Sequence, residues 1–216
     1  MRNRKFFFIV FEGIEGSGKS YQSRKLYAAI KKIGLSVILT REPGGTKSAE
    51  KIREIILKDY FHPDFKEKFD KYTDTLLYLA ARNEHIQNKI KPAISKKKIV
   101  ICDRFIDSTF AYQVYGKGVN KNFVDWVHKY ILGNIKPDMT FILKVNISKA
   151  LERLKKRATK KNRYDKFSKS FYIKAQKAFI KIAKKNKKKY YIFDSSEDDK
   201  NLEKSIFKLV HSKLIK

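Results

Sequence analysis

Five short apolar runs punctuate the chain: Lys5 to Val10 (KFFFIV), Ser36 to Thr40 (SVILT), Lys98 to Cys102 (KIVIC), Met139 to Val145 (MTFILKV) and Tyr190 to Asp194 (YYIFD). The first, FFFIV, is apolar throughout rather than alternating, the pattern of a strand buried on both faces as in a parallel sheet, and the other four read as strands as well. Between them the period changes to three and four. Leu26, Ala29, Ile30 and Ile33 form one stripe of a helix from Ser20 to Ile33, with Gly34 as its C-cap. A short helix over Ala49 to Leu57 carries Ile52, Ile55 and Ile56, with Arg53 beside them. In the next helix Leu76, Leu79, Ala80 and Asn83 share one stripe, and Tyr78 and Arg82, four apart, share another. Ser108 to Gln113 opens a helix with a hydroxyl N-cap candidate, and Gly116-Lys117-Gly118 breaks it. Further helices are predicted over Asn122 to Leu132, Ser148 to Arg157, Phe171 to Lys184 and Leu202 to Ile215, whereas residues 58 to 72 read as a loop or a helix start. Strands alternating with helices predict an α/β fold, one domain with five parallel strands flanked by helices.

The first strand runs into FEGIEGSGKSY, Phe11 to Tyr21, in which Gly13, Gly18, Lys19 and Ser20 satisfy the G-x-x-x-x-G-K-[ST] pattern. Such a loop turns successive N–H groups toward phosphate oxygens, presents an ammonium to the β- and γ-phosphates and offers a hydroxyl to Mg²⁺. A strand before it and a helix after it are the context this chemistry needs. A glycine-rich turn without a ligand is the alternative. The other strand ends are also suggestive, because open α/β sheets bind ligands at their carboxyl edge. Arg41-Glu42-Pro43-Gly44-Gly45-Thr46 follows the second strand, and Asp103-Arg104-Phe105 the third. Asp103 is suited to holding Mg²⁺ or its waters and Arg104 to clamping a phosphate, although a solvated Arg41 and a structural Asp103–Arg104 pair would fit as well. Tyr78 over Arg82 suits a base stacked on a ring and read at its edge, or a surface pair. Phe123, Trp126, Val127 and Tyr130 recur at helical spacing, which suits a core or a subunit interface better than a binding box. Ala158 to Lys169 is basic and unpatterned, either a solvated run or a lid bringing Arg153, Arg157 and Arg163 toward a transferring phosphoryl group.

Composition narrows the classes. In 216 residues, 51 Lys and Arg against 22 Asp and Glu give a net charge of +29, which by itself points to nucleic acid. Abundant Lys, Ile, Asn, Phe and Tyr with scarce Gly and Pro match the bias of an AT-rich gene, so the charge says less about partners and no nucleic-acid partner is expected. One cysteine, Cys102, excludes an intramolecular disulfide and fits a reducing cytoplasm. The basic start and apolar run stop at Glu12 without a small-residue cleavage site, so no signal peptide is expected, and no run approaches the ~20 apolar residues of a membrane span. Four histidines are scattered without metal-ligand spacing.

Taken together, FEGIEGSGKS, TREPGGT at 40 to 46, LAAR at 79 to 82 and ICDRFIDSTFAYQ at 101 to 113 resemble the bacterial thymidylate kinases over nearly the whole chain. The resemblance implies a P-loop nucleoside monophosphate kinase fold with a basic lid at about 153–169, ATP as co-substrate, Mg²⁺, a homodimer and phosphoryl transfer from ATP to dTMP. It implies ATP binding by Gly13, Ile14, Glu15, Gly16, Ser17, Gly18, Lys19 and Ser20, and a 5′-phosphate site of Arg41, Arg53 and Arg104. Glu15 would approach the sugar 3′-hydroxyl or the magnesium shell, Tyr78 would stack on thymine, and Arg82, Thr109 and Gln113 would read its edge. Ser20 and Asp103 would hold the metal, partly through water. Lys19, Arg104 and Glu15 with Arg153, Arg157 and Arg163 would be the catalytic groups, because a phosphate loop lacking a basic residue at Ile14 to Ser17 goes with arginines in the lid, where Asp165 takes the place of a carboxylate. The chain departs from the family at Lys144, where an Asp is common, at Ala158 after Arg157, and at Asn162 before Arg163.

Overall fold

The computed structural model describes residues 6–58, 68–156, 163–197 and 200–214. Among these, β1 (Phe7–Glu12), β2 (Val37–Arg41), β3 (Ile99–Asp103), β4 (Met139–Lys144) and β5 (Tyr190–Asp194) form one parallel sheet in the order β2-β3-β1-β4-β5. The strands are the expected ones, but β1 begins and ends two residues later than its apolar run, and β2 and β3 one residue later. Apolar side chains mark the middle of a strand, while ladder pairing continues to its carboxyl edge. Glu12, Arg41 and Asp103 are therefore ladder residues, with Asp103 in register with Phe11 on one side and Arg41 on the other. β1 lies at the centre, between strands that cross over in opposite directions, which opens the crevice where a doubly wound sheet binds nucleotides.

Alternate residues of β1 feed the two cores. Ile9 and Phe11 pack with Leu26 and Ile30 of α1 (Lys19–Lys32) and with Leu202, Ile206 and Val210 of α9 (Lys200–Leu214). Phe8 and Val10 pack on the other face with Cys102, Phe105, Ile86 and Ile90. A third cluster joins Ile142 of β4 to Tyr172, Ala175 and Phe179 of α8 (Lys169–Lys184). Both faces of β1, β3 and β4 are covered, which is why these strands are so apolar, whereas the edge strands β2 and β5 are only partly buried and Ile192 of β5 is exposed.

The remaining helices are α2 (Lys47–Lys58), α3 (Lys71–His85), α4 (Lys91–Ser95), α5 (Ile106–Thr109), α6 (Lys121–Leu132) and α7 (Ile147–Lys156). α3 starts where Asp70 accepts the Tyr72 N–H, and it passes into α4 through a wider π turn, Ile86–Ile90. One expectation fails: Ser108 does not cap a helix. α5 begins at Ile106 with no side-chain cap, because the Ser108 hydroxyl is drawn to Glu12, and the helix widens into a π turn over Phe110–Gly116.

Candidate active site

The phosphate loop leaves β1 at Glu12 and enters α1 at Lys19. Gly13, Gly16 and Gly18 have φ of 141°, 72° and 83°, conformations that L-residues with a Cβ rarely adopt. Space is also short: a Cβ on Gly16 would lie 2.4 Å from the Ala150 carbonyl oxygen and one on Gly13 2.6 Å from that of Leu143. The Lys19 ammonium reaches back over the loop to the Ile14 carbonyl at 2.6 Å and is 5 % exposed. Burial, and then the Arg104 charge, bring its pKa down to about 8. The Ser20 hydroxyl donates to the Asp103 carboxylate, tying α1 to the end of β3.

Across from the loop stands Arg104, held at φ 72° by its N–H bond to the Phe11 carbonyl at 2.9 Å. A non-glycine residue in this region carries backbone strain, and such residues concentrate at functional sites. Its guanidinium donates to the Gly13 carbonyl at 2.9 Å, the Ser108 hydroxyl at 3.1 Å and Glu15 Oε1 at 2.6 Å. Burial opposes its charge, but Glu15, Tyr112 and Asp103 hold its pKa well above the ordinary value. The other Glu15 oxygen accepts from the Tyr112 hydroxyl at 2.6 Å. Beneath them Glu12 is fully buried and accepts from the Phe105 N–H at 2.8 Å, the Ser108 N–H at 3.1 Å and the Ser108 hydroxyl at 2.6 Å. Burial and the nearby Asp107 carboxylate push the Glu12 pKa up to about 8.

One cleft of about 190 Å³ brings Gly16, Lys19, Ser20 and Asp103 together with Arg41, Arg53, Pro43 and Arg104. Arg53 donates to the Pro43 carbonyl at 2.7 Å, and Arg41 pairs with Glu50 at 3.0 Å. Next to the cleft, a narrow pocket of about 20 Å³ is lined by Pro43, Tyr78, Arg104, Thr109, Tyr112, Gln113 and Tyr164. Tyr78 is 7 % exposed and its hydroxyl touches that of Tyr164, so the surface-pair reading of Tyr78 and Arg82 does not describe them.

Arg82 lies behind this pocket rather than among the residues lining it. It donates to Glu42 at 2.7 Å, Thr109 Oγ1 at 2.8 Å, the Phe105 carbonyl at 2.9 Å and His128 Nε2 at 2.8 Å. Burial would raise the Glu42 carboxyl, but Arg82 and His85 more than offset it and hold the group below the usual carboxylate range. Burial and the Arg82 charge bring the His128 pKa down to about 3, which keeps the ring neutral and able to accept.

Of the three arginines expected in a lid, the two that are described are placed differently. Arg153 donates to the Gly16 carbonyl at 3.3 Å and to the carbonyls of Ser195 and Ser196 at 2.9 and 3.0 Å, beside the phosphate loop. Arg157 lies outside the described residues. Arg163 is 1 % exposed, donates to the Ile56 carbonyl at 2.9 Å and to Asp74, and lies over the Tyr78 ring at 5.5 Å. It does not line the cleft, whereas its neighbour Tyr164 does.

For a metal, Ser20 and Asp103 supply adjacent hard oxygens, a donor set that fits Mg²⁺ completed by water and substrate phosphates. Among the described residues no three His, Cys, Asp or Glu side chains gather as a metal cage. Sequence reading missed Glu12, Glu42, Asp74, Tyr112, Tyr164, His85 and His128. Glu12, Glu42 and Tyr112 sit inside the quoted motifs. The histidines gave no signal because their partners are 43 and 46 positions away, Glu42 for His85 and Arg82 for His128.

A family description of thymidylate kinase matches residues 11–206 of the chain. Thymidylate kinase of Sulfurihydrogenibium sp. (strain YO3AOP1) is 40 % identical over 200 residues, 93 % of this chain and 94 % of that relative. Thymidylate kinase of Wolbachia sp. subsp. Brugia malayi (strain TRS) is 47 % identical over 179 residues, 82 % of this chain and 80 % of the relative. The crystal structure of thymidylate kinase from Ehrlichia chaffeensis superimposes with a TM-score of 0.73 at 33 % identity, covering 94 % of this chain and 98 % of that one. A P-loop kinase sheet, a phosphate loop facing a pocket of arginines, and similarity along almost the full length agree: the chain belongs to the thymidylate kinase family.

Proposed function

We infer that the protein transfers the γ-phosphoryl group of ATP to dTMP, giving dTDP and ADP on the route to dTTP. One observation carries the reading: Lys19 and Ser20 of the phosphate loop share a single cleft with Arg41, Arg53 and Arg104, donor-side and acceptor-side cations facing each other. The nucleophile is an oxygen of the acceptor phosphate, whose second pKa of about 6 leaves it ionised at neutral pH. No general base is required, in keeping with a site whose nearby histidines, His85 and His128, serve Glu42 and Arg82. The chain's task is alignment and charge neutralisation. Lys19 and the loop N–H groups hold the β- and γ-phosphates, and Gly13 to Ser20 form the ATP cradle. Arg41, Arg53 and Arg104 hold the acceptor phosphate end-on. Tyr78, Thr109 and Gln113 line the base pocket, with Arg82 fixing Thr109 from behind. Ser20 and Asp103 would hold Mg²⁺, which neutralises charge between the phosphates when bound. Of the lid arginines, Arg153 and Arg157 are assigned to the transferring group.

A coupled ADP-release assay with dTMP, dUMP, dCMP and thymidine tests the acceptor. dTMP is expected to be preferred, and a strong preference for thymidine would overturn the assignment. The protein acts as a homodimer in the cytoplasm, where its nucleotide substrates are pooled. Trp126 and Tyr130, 61 % and 68 % exposed with rings 4.8 Å apart, stand out of α6 next to Tyr72 of α3, whose ring packs on Phe123. That exposure rules out the core reading for these two residues and supports a second copy of the chain on this face. Light scattering should give twice the chain mass for the wild type and the chain mass for Trp126→Glu; a monomeric wild type refutes the dimer. Among the described residues no helix is long and apolar enough to cross a membrane.

A further inference from the structure

Asp74, Tyr78 and Arg82 follow one another at intervals of four along a single face of α3. Tyr78 lines the base pocket and Arg82 lies behind it, bonded to Thr109 of its wall. Asp74, one turn earlier, is 1 % exposed and uses both carboxylate oxygens: Oδ1 accepts from Arg163 and Oδ2 from Lys117 Nζ at 2.8 Å. Arg163 is equally buried and also donates to the Ile56 carbonyl of α2, so its guanidinium lies between α2 and α3, 5.5 Å from the centre of the Tyr78 ring. The residue after it, Tyr164, has its carbonyl bonded by the Tyr172 hydroxyl of α8, and its ring packs edge-on to Tyr112 at 5.8 Å. Tyr164 thereby lines both the narrow pocket and the phosphate cleft.

We propose that Asp74 is a positioning residue for the acceptor: by seating Arg163 it docks this end of the lid on α3, so that Tyr164 stands as the outer wall of the base pocket. The inference rests on the acceptor site proposed above. A carboxylate is suited to this task because a charged, fully desolvated pair has one geometry, and removing either partner leaves the other buried without its counter-charge. The bonds of the anchor run to α2 and α3, the acceptor side of the cleft. Its loss therefore falls mainly on the acceptor, whose base pocket Tyr164 walls, and much less on ATP.

The test measures dTMP and MgATP binding and steady-state constants for the wild type, Asp74→Asn, Asp74→Glu, Arg163→Gln and the Asp74→Asn/Arg163→Gln double variant. Asp74→Asn should raise the KM and Kd for dTMP about tenfold, the scale of one ordered pocket wall lost, and leave the KM for ATP within about twofold. Asp74→Glu should recover part of the loss, and the double variant should bind dTMP no worse than the worse single variant, as coupled partners do. Tyr164→Ala, which buries no unpaired charge, should reproduce the dTMP defect even if the Asp74 variants fold poorly. dTMP affinity unchanged in Tyr164→Ala, equal losses for ATP and dTMP, or additive losses in the double variant would each overturn the anchor. A wild type that prefers another monophosphate overturns the acceptor assignment alone; the same comparison read on that nucleotide still decides the role of Asp74.

Discussion

Replacing Arg104 by alanine should damage the acceptor site through two separable terms. The first is the lost charge-assisted contact to the acceptor phosphate, worth about 1.5–3 kcal/mol. The second is the carboxylate left behind. Arg104 bonds Glu15 at 2.6 Å, and in its absence Glu15 keeps the Tyr112 hydroxyl but loses this counter-charge. A carboxylate and a phosphate bridged by one guanidinium would lie roughly 5 Å apart, and without the guanidinium they would repel by about 3 kcal/mol at an effective dielectric of about 20. Together these predict a fall in kcat/KM for dTMP of about 10³-fold or more, at about 1.4 kcal/mol per decade, carried mainly by the acceptor terms. The coupled ADP-release assay reads it directly. The repulsion is isolated by repeating Arg104→Ala in the Glu15→Gln background, where the carboxylate charge is gone and the penalty should shrink by about 100-fold. Arg104→Ala retaining kcat/KM within tenfold of wild type would refute the placement of the acceptor phosphate. An equal penalty in both backgrounds would refute the electrostatic step.

Three further outcomes follow from particular groups. Lys19, with its pKa brought down to about 8, is protonated below that pH and loses its charge above it; ATP affinity should therefore decline as pH rises through 8 more steeply than in Lys19→Arg, and a flat profile to pH 9 would contradict this. Gly16→Ala forces a Cβ to within 2.4 Å of a backbone oxygen at φ 72°, so titration calorimetry should find no ATP binding at concentrations that saturate the wild type, and wild-type affinity would show that the loop is not held as described. His128 is neutral when folded, with its pKa down at about 3, whereas the unfolded chain takes up a proton below 6.5. Its contribution is thus fully present above pH 6.5 and is lost toward pH 3 at about 1.4 kcal/mol per unit. Urea unfolding of wild type against His128→Gln, which keeps an acceptor for Arg82, should show a shallower acid slope in the variant; identical slopes would refute it.

Local chemistry was enough for the strands, the phosphate loop and the class of the fold. A strand buried on both faces must be apolar along its length, and a triphosphate cradle must have glycines, a lysine and a hydroxyl in fixed order. These demands act over about ten residues and leave a mark there. The motifs at 40–46 and 101–113 likewise announced a site, because the carboxyl ends of neighbouring strands come together in any parallel sheet. The tertiary structure decided how charges were shared out. Nothing near Arg82 in sequence tells that Glu42, Thr109 and His128 surround it, or near Arg163 that Asp74, 89 positions away, holds it. Both guanidinium groups looked equally free in the chain. A buried cation requires compensating partners wherever they lie in sequence, and only packing brings them within hydrogen-bond reach: the end of β2, α5 and α6 around Arg82, and α2 and α3 around Arg163.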